Sequence, residues 1–92
     1  MKIYFMKGCF IMNYIERENL SWEEAAICSE YAEKVIGYCR EKGIDLSGPS
    51  AAECRIMEFD REVLNFNEWC ACDLDDYIGD IIVAIGMAVE AD

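Results

Sequence analysis

The chain contains no histidine. That absence removes serine–histidine and cysteine–histidine nucleophile pairs and the commonest zinc ligand sets. Threonine is missing too, so only Ser21, Ser29, Ser47 and Ser50 carry aliphatic hydroxyls. Cations are scarce: 8 lysines and arginines stand against 19 aspartates and glutamates in 92 residues, a net charge of −11. Long apolar runs are absent as well. The uncharged stretch at residues 81–89 is too short to span a bilayer as a helix. Lys7 interrupts the apolar run near the amino terminus, so no signal-peptide core follows Met1-Lys2. The expectation is a cytoplasmic protein without a membrane segment.

Leu, Ile, Val and Phe make up 23 of the 92 residues, above the roughly 20% below which charged chains stay unfolded. Residues 1–92 therefore read as a single small acidic domain. Its size limits how much surface it can bury and favours dimerisation.

Six cysteines (Cys9, Cys28, Cys39, Cys54, Cys70, Cys72) stay reduced in the cytoplasm. Cys28, Cys39 and Cys54 lie among apolar residues and read as small buried hydrophobes. Cys70-Ala71-Cys72 is the only close pair, and neither a second pair nor a histidine completes a tetrahedral site. Asp73-Leu74-Asp75-Asp76 begins like a calcium loop, but Ile78 stands at the turn glycine and Ala84 at the closing glutamate. Neither a metal nor a cofactor is expected.

Ser21-Trp22-Glu23-Glu24 is a capping box preceded by Leu20 as a staple residue. Ala25, Cys28, Ala32, Val35 and Cys39 then recur at helical spacing until Gly43, which predicts a helix over 22–42. Ser50-Ala51-Ala52-Glu53 has the form of a second capping box. Ala52, Ile56, Phe59, Val63 and Phe66 line the helix expected after it. A last helix is expected to start at Asp73 as N-cap, with Leu74, Tyr77, Ile78, Ile81, Ile82, Ile85, Ala88 and Val89 on its core face. The β-branched residues within 81–85 offer a strand as the alternative there. The first fifteen residues are rich in aromatic and β-branched types, and Lys7-Gly8 suits a turn between two short strands. The expected fold is mostly α: a small three-helix antiparallel bundle with a short amino-terminal β-hairpin laid on it.

The charge is unevenly placed. Residues 1–57 carry a net of −2, whereas residues 58–92 carry ten acids and only Arg61, a net of −9. Glu58, Asp60, Glu62, Glu68, Asp73, Asp75, Asp76 and Asp80 thus form a run almost without a compensating cation. The bland explanation is a solvated face that keeps the domain soluble. The sharper one is a carboxylate array that imitates spaced phosphates and docks on a basic, nucleic-acid-binding surface of a partner protein. Direct contact with nucleic acid is disfavoured, because no basic stripe exists: Lys34, Arg40 and Lys42 sit among Glu30, Glu33 and Glu41.

Residues 81–89 are apolar on every side of a helix, more than a bundle surface needs. Ile82, Val83 and Met87 would then form an apolar interface for a homodimer or for capping a partner. Catalysis lacks a histidine base and a phosphate loop, so the protein is expected not to be an enzyme. In size and charge the chain resembles the small acidic inhibitors of phages and mobile elements, such as anti-CRISPR and anti-restriction proteins. The resemblance lies in general properties, and it implies a stoichiometric inhibitor that mimics nucleic acid.

Overall fold

A computed structural model describes residues 8–91, with side chains placed over 11–89. Helix α1 (Gly8–Glu18) turns Ile11, Tyr14 and Ile15 inward at i, i+3 and i+4 spacing. This periodicity overrides the β propensity of the same residues, so the second strand of the expected hairpin is helical instead. The first strand of that hairpin, before Lys7, falls outside the described residues. Asn19, left-handed at φ 55°, ends α1, a conformation asparagine tolerates.

Helix α2 (Trp22–Lys42) has the boundaries its sequence signals indicate. Ser21 Oγ accepts the Glu24 N–H at 3.1 Å, and Glu24 Oε1 accepts the Ser21 N–H at 2.9 Å. At the far end Gly43 takes φ 68°, and the Ile44 N–H reaches the Cys39 carbonyl at 2.9 Å, a Schellman closure.

Helix α3 (Pro49–Glu62) corrects two expectations. Pro49 occupies its first turn and Gly48 the N-cap position, so Ser50 lies one step inside and caps nothing. Proline's fixed φ starts the helix two residues early. The helix then stops at Glu62, which leaves Val63 exposed rather than in the core. Cys54 is also exposed, not buried, because it faces away from Ala52, Ile56 and Phe59.

Phe66 is buried as expected, but from a separate short helix, α4 (Phe66–Cys70). Helix α5 (Leu74–Ala91) follows, and Asp73 Oδ1 accepts the Asp75 N–H at 3.1 Å as its cap. Residues 81–85 lie within α5 and form no strand. The expected three-helix bundle is therefore a set of five helices, and no strand occurs among the described residues. Helix α2 packs most extensively on α5, α3 lies across both, and α1 rests on α2.

The core has an aliphatic part and an aromatic part. Ala25, Cys28, Ala32, Val35 and Cys39 of α2 are fully buried, together with Ile81, Ala84 and Ile85 of α5. Tyr31 centres the aromatic part, with ring centroids 5.3 Å from Phe59, 4.9 Å from Phe66 and 5.5 Å from Trp69. Its hydroxyl donates to the Leu64 carbonyl at 2.7 Å.

Gly37 in α2 and Gly79 in α5 are mid-helix residues where an added Cβ would meet nothing within 4 Å. Gly37→Ala and Gly79→Ala are each expected to stabilise the fold by about 0.5–1 kcal/mol, through helix propensity. Urea unfolding of each variant checks this.

Candidate functional site

The eight carboxylates that the sequence groups together have different environments in the fold. Glu58 turns back toward α2: its side chain accepts the Tyr38 hydroxyl and, at 2.7 Å, the Arg55 guanidinium. The Tyr38 hydrogen bond and then the Arg55 bond hold the Glu58 carboxyl below its ordinary pKa. The same hydrogen bond to Glu58 is the main reason the Tyr38 hydroxyl is pushed up to about 12. Asp60 accepts the Phe66 N–H at 2.7 Å and so fixes the start of α4. Glu62 is exposed and bonds to the neighbouring Arg61 at 3.3 Å. Each of these three has a partner within the fold.

Glu68, Asp73, Asp75 and Asp76 behave differently. All four are exposed at the corner where α4 hands over to α5. Among the described residues none of them has a lysine or arginine partner. Asp73, Asp75 and Asp76 surround the amino terminus of α5, where the helix dipole favours negative charge. The dipole offsets part of their mutual repulsion, so a fold this small tolerates the cluster.

The corner is closed by backbone bonds rather than by glycine. Ala71 is left-handed at φ 62°, and its N–H donates to the Asn67 carbonyl at 2.7 Å. Asn67 Nδ2 donates to the Cys72 carbonyl at 3.3 Å, and Asn65 Oδ1 caps α4 through the Glu68 N–H at 2.9 Å.

The two cysteines flanking Ala71 point into the protein. Cys70 Sγ donates to the Phe66 carbonyl at 3.2 Å, and burial raises its pKa. Burial likewise pushes the Cys28 thiol up to about 12. These thiols are held protonated, the unreactive form. Among the described residues no group of three or more Cys, Asp or Glu is arranged to hold a metal ion.

Asp80 lies one turn beyond Asp76 on α5 and is half-buried. Loss of hydration is the main cause that pushes its carboxyl up to about 6; a hydrogen bond with Glu18 and the charges of Glu18 and Glu24 add to it. Tyr14 ties α1 to the same place, its hydroxyl donating to the Asp80 carbonyl at 2.6 Å. Asp80 thus belongs to the α1–α5 junction and stands apart from the exposed corner.

Ile82, Val83 and Met87 are half-buried and line one cleft of about 320 Å³. Arg17 from α1, residues 46–49 of the α2–α3 connection and Ala52 complete its walls. Arg17 carries no apolar periodicity and lies far from α5 in sequence, so no sequence signal pointed to it. No protein family matches the chain, and no curated protein or solved structure matches it either. Among the described residues no helix is long and apolar enough to cross a membrane.

Proposed function

We propose that the protein acts by stoichiometric binding rather than catalysis, as an inhibitor whose acidic corner docks on a basic, nucleic-acid-binding surface of a partner protein in the cytoplasm. One observation carries this reading: four exposed carboxylates, Glu68, Asp73, Asp75 and Asp76, share one corner without a cation partner among the described residues. A lysine- or arginine-lined groove shaped for phosphates would meet charges of the right sign there. Glu58, Asp60 and Glu62, which have partners within the fold, and Asp80 at the α1–α5 junction stand outside this array.

The alternative, a homodimer built on Ile82, Val83 and Met87, has less behind it. These side chains are already half-covered by their own chain, so a second copy would gain only part of their surface.

The test is Glu68→Lys/Asp73→Asn/Asp75→Lys/Asp76→Lys, in which asparagine keeps the α5 cap. Proteins retained from host extract by the parent chain should elute as salt rises, be displaced by duplex DNA, and bind the variant at least about 10-fold more weakly. Retention that survives both the DNA competitor and the charge reversal, with circular dichroism unchanged, would sink the proposal.

A further inference from the structure

The cleft beside α5 combines apolar walls with one charge. Leu46, Pro49, Ala52, Ile82, Val83 and Met87 supply carbon surface, and Arg17 is the only ionisable side chain among its described lining residues. The other described cations are engaged. Arg55 pairs with Glu58 and Arg61 with Glu62. Lys34 lies 5.9 Å from the Trp69 ring and Lys42 lies 5.3 Å from the Tyr38 ring, and Arg40 has an interaction as well. Arg17 is the described cation for which no such partner exists, in a chain with 19 acids.

A second source of positive potential opens on the same cleft. Gly48 and Pro49, which begin α3, line it. The first turn of α3 has no acidic residue, and its N-cap makes no side-chain hydrogen bond. The amides there lack the acceptor that Ser21 supplies to α2 and Asn65 to α4. The cleft is within the size range of small-molecule sites, roughly 300–1,000 Å³.

We propose that this cleft binds a medium-chain alkyl carboxylate, with its head group on Arg17 near the start of α3 and its chain along Leu46, Ile82, Val83 and Met87. Charge complementarity selects the ligand. A neutral apolar molecule would forgo the attraction of Arg17, which is exposed at the mouth of the cleft, and a short anion would leave the apolar walls wet. The proposal is independent of the acidic corner, which lies at the other end of α5.

The probes are octanoate, decanoate and dodecanoate below their micellar concentrations, with decanol as the neutral control, titrated by calorimetry. Decanoate should bind one to one, and affinity should rise roughly four-fold per methylene until the cleft is filled. Arg17→Gln should weaken decanoate about 10-fold and leave decanol unchanged. Gly86→Phe directs a ring into the cleft from a position where a Cβ meets nothing within 4 Å; it should abolish binding with circular dichroism preserved. Three results would each overturn the proposal: no saturable binding at millimolar decanoate, equal affinity for decanol and decanoate, or full binding by Arg17→Gln. A concentration-dependent dimer in sedimentation that Gly86→Phe dissociates, with no decanoate binding by the parent, would assign the cleft to a second copy instead.

Discussion

Tyr31→Ala is expected to remove about 3–5 kcal/mol of stability, the range for deleting a large buried aromatic side chain. Tyr31 is fully buried on α2 and touches three other aromatic rings, those of Phe59, Phe66 and Trp69. The two closest partners are edge-on, an arrangement worth about 0.5–1.5 kcal/mol per pair beyond simple burial. The hydroxyl carries a separate share, because it takes the Leu64 carbonyl at the end of α3. Tyr31→Phe keeps the rings and strands that carbonyl, for an expected loss of about 1 kcal/mol. Domains of this size have about 5–15 kcal/mol in total. Urea unfolding should therefore show the midpoint of Tyr31→Ala far below that of the parent and the midpoint of Tyr31→Phe only slightly below it. An alanine variant within about 1 kcal/mol of the parent would mean that α4 does not dock on α2 as described.

The second large effect is electrostatic and concerns Asp80. Its carboxyl sits at about 6 in the folded protein, with lost hydration as the first cause and Glu18 and Glu24 adding to it. The folded state therefore holds this proton more tightly than the unfolded chain. Asp80's contribution is fully present below the unfolded value near 4 and is lost as pH rises through about 6. At pH 7.5 the ionised group opposes folding by about 1–2 kcal/mol, after allowance for partial exposure to water. Asp80→Asn should recover that amount at pH 7.5, and the gap between variant and parent should close by pH 4.5. Glu24, Asp45 and Glu58 have depressed values. Their contributions run the other way and disappear on acidification, so the comparison must be made between variant and parent at each pH. A gap that is constant with pH would mean that burial at the α1–α5 junction does not raise the Asp80 carboxyl.

What the sequence revealed depended on whether a signal was local. Helix α2 was legible to the residue because Ser21, Glu24 and Gly43 punctuate it within one stretch of chain. Helix α4 was not legible: five residues carry no periodicity, and its first amide is held by Asp60 from the preceding helix. That contact also explains why Phe66 is buried from an element the sequence did not announce. At α3, two starting signals placed the N-cap two residues apart, at Gly48 and at Ser50. The rigid ring of Pro49 prevailed over the hydroxyl of Ser50.

The acidic run was visible as composition, but its division was not. Glu58 and Asp60 look like their neighbours in the chain, yet Tyr38 and the Phe66 amide claim them. Such partners lie on other elements, beyond the reach of a linear pattern. The same reason hides Arg17, which meets Val83 and Met87 only across the cleft.

The left-handed Ala71 has a consequence for any encounter at the acidic corner. Because the turn is held by Asn67, Cys72 and the α5 cap rather than by a glycine hinge, the backbone there is already ordered before a partner arrives. Three of the four exposed acids are aspartates, whose short side chains have few rotamers to surrender. Ordering a flexible interface side chain costs about 0.5–1.5 kcal/mol, and of these four only Glu68 has a long chain to immobilise. A basic surface meeting this corner would encounter a rigid template, with the entropic loss already borne by folding.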